Sequence, residues 1–261
     1  MLSARSLFQE IVDNDQAYQL FCSIAASGED QGGWENGRIA ALVPPSLSDL
    51  APKITRHGAD EEKHGRIFTG LLRKRGLAPM PVPPETDYTM LLERAGIGLA
   101  HDKLRRDEPL TEHDIVVYLA HSRVTEQRAA EQMDLLVRHF GGHPEIGKAV
   151  RQISDDEDNH LAYCHEELLR LARAGHGRTI QRTLRECALA EIAVHRDVSL
   201  AVLDHMGRLL GWSRAKSAVL AAGAHAVYAY ERAVGWRRMV RLAVPERLGA
   251  LGGPAETAPV L

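Results

Sequence analysis

A chain of 261 residues with 44 % hydrophobic and 26 % charged residues has ordinary globular composition, and it can build one large helical domain or two small ones. Its formal net charge of −3 gives no general attraction to nucleic acid or to an anionic membrane, so neither partner is expected. Cys22, Cys164 and Cys187 are scattered and form no CxxC pair, which argues against a zinc ribbon, a rubredoxin-type iron site and a disulfide framework. The opening MLSARSLFQEIVDND turns acidic quickly and no apolar run is long enough to span a bilayer, so we expect no signal peptide and a reducing, cytoplasmic compartment.

Aromatic residues make up only 5 %, Ala, Leu, Glu and Arg are abundant, and Gly and Pro cluster at intervals. That pattern predicts long helices with sharp breaks. In chain order they run over residues 14–42, ended by Pro44 and Pro45, and 47–75, stopped by Gly76. Pro79, Pro81, Pro83 and Pro84 mark an extended connector, followed by a shorter helix over 87–104. The next helix starts at Thr111, with Asp114 as its capping partner, and stops at Gly141 and Gly142. Pro144 suits the first turn of a helix ending near Gly175. Two more helices cover 179–210 and 214–241, the last with Ser213 as N-cap. The expectation is a single domain over 1–243 and a disordered tail over 244–261.

Two segments carry the chemistry: Asp60-Glu61-Glu62-Lys63-His64 and Asp156-Glu157-Asp158-Asn159-His160. Each holds Glu-x-x-His preceded by Asp. Residues three apart on a helix are separated by roughly 60° around its axis, so a Glu and a His at that spacing reach one metal ion. Runs of Glu, Asp and His are ordinarily solvated helix faces, but two matched runs on two long helices argue against that. A four-helix dinuclear site also needs one carboxylate from each remaining helix, and Glu29 and Glu126 offer them. Glu29 precedes Glu61 by 32 residues and Glu126 precedes Glu157 by 31, while Pro44 and Gly141 each fall 15 residues after the lone glutamate. The two halves therefore read as a degenerate repeat of one helix hairpin. Glu35 and Glu131 are rival ligands that break the matched spacing. Asp60 and Asp156 are placed to accept the free N–H of the histidine on the opposite helix. Four carboxylates balance two divalent ions, and mixed carboxylate and imidazole ligation suits two iron ions, with manganese or a mixed manganese–iron pair also compatible.

Glu29, Glu61-x-x-His64, Glu126 and Glu157-x-x-His160 resemble the di-iron carboxylate pattern of the ferritin-like superfamily, over about residues 14–174. The resemblance implies an all-α, ferritin-like four-helix bundle, here with an extra crossover helix and two additional C-terminal helices over about 179–241. It implies that the six residues are both metal ligands and catalytic groups. No rubredoxin-like cysteine pair is present, and Glu61 and Glu126 lie 65 residues apart, more than a short crossover needs. Both departures favour an oxygen-activating branch. The implied activity is a non-haem di-iron monooxygenase or oxidase acting with O₂ on a small organic substrate, with an external electron donor because no dinucleotide motif is visible. A ferroxidase or peroxide scavenger is one alternative. A tRNA-modifying hydroxylase is another, from a loose similarity in LLRKRGLAPMPVPPETDY and EPLTEHDIVVYLAHSRVTEQRAAE. A third is a scaffold that keeps a metal for stability.

Lesser candidates are His121 and Tyr163 near the ligands, and Glu191 and His195 as an added ligand pair. His225 and Glu231 read as surface or interface residues. Trp236, Arg237, Arg238 and Arg241 form a basic helix end that complements the helix dipole. The glycines Gly28, Gly32, Gly33 and Gly37 are costly inside a helix and imply a bend, close packing or room for a ligand. The C-terminal helices either complete a monomer or bury a homodimer interface.

Overall fold

The computed structural model describes residues 3–242. The expected disordered tail at 244–261 lies outside the described residues. Every regular element among the described residues is helical. No helix among them is long and apolar enough to cross a membrane.

A short helix, α1 (Ala4–Val12), opens the chain on a Ser3–Ser6 capping box. It lies outside the helices expected from the sequence. Phe8 holds it down, edge-on to Phe21 and Phe140. Helix α2 (Asp15–Leu42) is capped by Asn14, whose side chain accepts from the Ala17 amide. After a 3₁₀ turn over Pro45–Leu50 comes α3 (Ala51–Lys74).

The single crossover helix expected over 87–104 is two pieces, α4 (Tyr88–Arg94) and α5 (His101–Leu104). Gly96 and Gly98 break it with φ of 74° and 79°, in the left-handed region that glycine adopts without steric cost. Gly98 also lies directly on His121: a Cβ there would sit 2.6 Å from the ring Nδ1.

Helix α6 (Glu112–Phe140) starts on the expected Thr111–Asp114 capping box. Helix α7 (Gly147–Leu171) begins later than expected, since Pro144 lies in the turn before it. A π-type turn over Ala172–His176, with Gly175 at φ 107°, leads to α8 (Gly177–Leu209). The final predicted helix forms over 214–240, with a π-type turn inside it. Its first part, α9 (Arg214–Tyr230), is capped by Ser213 as expected, then a π-type turn over Glu231–Gly235 leads to α10 (Trp236–Val240).

Four of the long helices, α2, α3, α6 and α7, form two hairpins, α2 with α3 and α6 with α7, and α3 also contacts α7. Two apolar clusters lie at opposite ends of them. One contains Ile39, Ile54, Val124, Cys164 and Leu168. The other contains Ala26, Phe68, Leu136 and Ile153. Along α3 and α6 the chain runs from the first cluster to the second, and along α2 and α7 it runs the opposite way. The end of α3 is therefore at the wrong end to start α6, and residues 75–111 must travel the length of the bundle. They dock where Leu110 N–H donates to Leu42 C=O at 2.8 Å.

Outside the bundle, α8 packs on α6, and α9 and α10 pack on α8. A buried ion network ties this layer in. The Arg128 guanidinium donates to both oxygens of Glu191 at 2.9 Å and to both oxygens of Glu231 at 2.8–2.9 Å. Tyr88 adds a hydrogen bond to Glu191, and Arg238 joins Glu231 to Glu131. Glu231 is thus buried, not a surface residue, and Arg238 is an ion-pair partner and not merely a charge at a helix end. Burial would raise the Glu231 carboxyl, but Arg128 and Arg238 overcome it and hold it at about 2.

Removing one partner of such a network leaves uncompensated buried charge, at a cost of about 3–5 kcal/mol. Arg128→Met is expected to lower the free energy of unfolding by that order in urea titration. Glu231 sits below the ordinary 4.5, so its contribution is complete above that pH and is lost as pH falls toward about 2. Acid titration of stability in Glu231→Gln is expected to be flatter across that window than in the parent.

Candidate metal centre

Between the two apolar clusters each long helix carries its acidic residues at the same depth: Glu29 on α2, Glu61 on α3, Glu126 on α6 and Glu157 on α7. All four glutamates come together with His64 and His160. Their ligand atoms form two overlapping groups of four: Glu29, Glu61, His64 and Glu157 in one; Glu61, Glu126, His160 and His57 in the other. Within each group the ligand atoms all lie within 4.8 Å of one another, and Glu61 belongs to both.

The histidines are aimed. His64 is fully buried; its Nδ1 lies 3.4 Å from Glu29 and 3.5 Å from Glu157, and its Nε2 lies 3.1 Å from Asp156. His160 Nδ1 lies 3.5 Å from Glu61 and 3.7 Å from both Glu126 and Glu157, and its Nε2 is 3.5 Å from Asp60. Each ring therefore turns Nδ1 inward and Nε2 toward the aspartate of the opposite helix. Lys63 lies between those aspartates, 2.6 Å from Asp60 and 2.7 Å from Asp156, and against burial it holds the Asp60 carboxyl below its ordinary value.

Three buried atoms facing this cluster have no hydrogen-bond partner: His64 Nδ1, His160 Nδ1 and Glu157 Oε2. Buried polar atoms are ordinarily satisfied, and these three converge where a cation would satisfy them together. The donor set of carboxylate oxygens and imidazole nitrogens fits a hard-to-borderline divalent ion. These buried His and Glu groups can bind metal; the geometry does not select which.

Without metal the charges must be neutralised by protons. Burial and the neighbouring Glu61 push Glu29 well above the usual carboxylate range, and burial and Glu126 do the same to Glu157. Burial opposes the ionisation of Glu126, but His57 and His160 beside it hold it well below that range. Burial likewise opposes protonation of His160, yet the carboxylates of Glu126, Glu157 and Glu61 around it lift it to about 11. His57 is raised against burial by Glu126 and Glu61. The metal-free cluster is a set of shared protons, and metal must displace them.

Other expected residues stand apart. Glu35 pairs with His101 at 2.6 Å and Glu131 with Arg238 at 2.7 Å, so neither rival ligand faces the cluster. Glu191 belongs to Arg128, and His195 contacts Gln132, so they add no ligand pair. His121 is held down to about 4 by burial beneath the crossover. The glycine run serves close packing at one point: a Cβ on Gly33 would meet Glu62 Cγ at 2.9 Å and the Gly58 carbonyl at 3.2 Å. Gly28 and Gly37 have open space within 4 Å.

Sequence reasoning missed His57, Lys63, Tyr118 and Asn36. His57 lies one turn before Glu61, and that i,i+4 spacing was the available signal; it was hidden because the repeat has no histidine at the matching place. Compared with family models, curated proteins and solved structures, the chain matches none.

In the metal-free protein, Glu157→Gln removes a carboxyl that resists ionisation while keeping its shape. Because that carboxyl is raised, its cost grows as pH climbs above the ordinary 4.5. The variant is expected to melt several degrees higher than the parent at pH 8 in chelator, with the gap closing toward pH 5. Its metal affinity should fall roughly tenfold or more, since even outer-shell losses cost about 10–100-fold.

Proposed function

We propose that this chain is a ferritin-like dinuclear metalloenzyme, a di-iron oxygenase or oxidase that uses O₂ to oxidise a small organic substrate. The observation that carries the reading is the pair of ligand groups sharing Glu61, buried between two apolar clusters, with inward-facing donor atoms that no protein group satisfies. Glu29, Glu61, His64, Glu126, Glu157 and His160 would hold two iron ions. Bound as a ferrous pair, such ions supply the electrons for O₂ activation.

The remaining work falls to the chain. Asp156 takes the Nε2–H of His64 and Asp60 faces that of His160, which keeps both Nδ1 lone pairs turned inward. Lys63 bridges the two aspartates and favours the charged form of Asp60. The apolar clusters above and below exclude water, so charge developing in the layer is weakly screened. The long crossover and the added layer of α8–α10 are more structure than an iron-storage bundle needs, and they support an organic substrate over iron itself.

The test is metal analysis and stopped-flow absorption on protein reconstituted anaerobically with ferrous iron. About two irons per chain are expected from the two ligand groups, with uptake abolished in Glu61→Ala and Glu157→Ala. Mixing with O₂ is expected to produce a transient visible band. Rapid oxidation of many added ferrous ions per chain would move the reading to a ferroxidase. Absence of bound metal, or uptake untouched by both substitutions, would reduce the cluster to packed polar side chains.

A further inference from the structure

The two ligand groups are not equivalent, and the difference lies in His57. An offset of 96 residues carries Asp60, Glu61 and His64 onto Asp156, Glu157 and His160. The same offset carries His57 onto Ile153, which is fully buried in the second apolar cluster. It carries Ile67, packed on that cluster, onto Tyr163. One side of the centre is therefore walled by isoleucines and the other by a histidine and a tyrosine.

His57 is 2 % exposed, and its Nε2 lies 2.8 Å from Glu61 Oε1 and 3.3 Å from Glu126 Oε1. Its ring stacks on His160 with centroids 3.9 Å apart. The other nitrogen, Nδ1, is 2.7 Å from the Tyr163 hydroxyl. That hydroxyl is 2.7 Å from the Tyr118 hydroxyl, which donates to Asn36 Oδ1 at 2.8 Å. With Asn36 Oδ1 facing Tyr118, the proton count along this chain has one solution. Tyr118 spends its only proton on Asn36, so Tyr163 must donate to Tyr118. Tyr163 then has no proton left for His57, and His57 Nδ1 must donate to Tyr163. With Nδ1 carrying its proton, Nε2 is the nitrogen free to bind a cation, and it is the one facing Glu61 and Glu126.

We propose that His57 is a metal ligand through Nε2, set in that tautomer by Tyr163, Tyr118 and Asn36, so that the two metal positions differ in composition and fill in order. This rests on the dinuclear reading above. The position nearer His57 has two imidazoles and two carboxylates; the position nearer His64 has one imidazole and three carboxylates. Nitrogen-rich ligation favours later first-row ions, so the His57 side takes Co²⁺ first. His57 also binds through the opposite ring nitrogen from His64 and His160, whose inward atoms are Nδ1.

The test is a Co²⁺ titration of the full chain, followed by visible absorption and by proton NMR of the hyperfine-shifted, solvent-exchangeable imidazole N–H signals. The parent is expected to take up two Co²⁺ in two resolved steps and to show three such signals. His57→Ala should still bind Co²⁺ at the His64 side, show two signals, and lose at least roughly tenfold in affinity at the first step, an outer-shell-sized loss being the minimum. Tyr163→Phe should retain both ions and displace one signal only. Two signals in the fully loaded parent would overturn this inference while leaving the dinuclear reading standing, and that count decides the matter even if His57→Ala does not fold. Unchanged titration steps in a folded His57→Ala would overturn it as well. No uptake by the parent would overturn the dinuclear reading and this inference together.

Discussion

Four glutamates in one layer, Glu61, Glu126 and Glu157 buried and Glu29 half-buried, set the terms for the rest of this molecule. Carboxylates removed from water and from a counter-charge are too costly to remain ionised. The fold answers with whatever positive charge it can bring: imidazoles from α3 and α7, Lys63 outside them, and protons on Glu29 and Glu157. A pair of divalent ions answers the same demand more completely. The orphaned nitrogens of His64 and His160 mark where the protein's own answer falls short.

Holding that layer demands a rigid frame, and the two apolar clusters supply it from either end. They also dictate the chain path. Because α3 and α6 point the same way, the link between them must cross the bundle, and Gly96 and Gly98 let it bend over His121 on the way. The outer helices are locked on by a second buried charge arrangement, Arg128 between Glu191 and Glu231. This one is closed and fully hydrogen-bonded within the protein, so it is structural. The glutamate–histidine layer is open in the sense that His64 Nδ1, His160 Nδ1 and Glu157 Oε2 have no partner in the protein. That contrast separates the two buried clusters more sharply than their composition does.

The repeat in the chain is imperfect in a directed way. At two matched positions one half has isoleucine and the other a polar residue, His57 against Ile153 and Tyr163 against Ile67, and the polar chain through Tyr118 to Asn36 runs from that pair. A symmetric bundle would offer two alike groups of ligand atoms; here one group has two imidazoles and the other has one.

The sequence by itself determined the helical class, the breaks at Pro44, Gly76 and Gly141, the caps at Thr111 and Ser213, and the six ligand candidates with Asp60 and Asp156. These were legible because helix periodicity, capping chemistry and i,i+3 spacing are local, and the repeat of about 96 residues doubled the signal. Only the tertiary structure decided the rest. His57 joins the centre because α6 and α7 bring Glu126, His160 and Tyr163 to it, from 69 to 106 residues away. Glu231 turns from a surface residue into a buried one because Arg128 reaches it across 103 residues. The crossover helix broke where the left-handed geometry of Gly96 and Gly98 outweighed local propensity. A side chain's local pattern says what it can bind, but the partner that claims it is set by contacts between distant segments, which spacing along the chain does not encode.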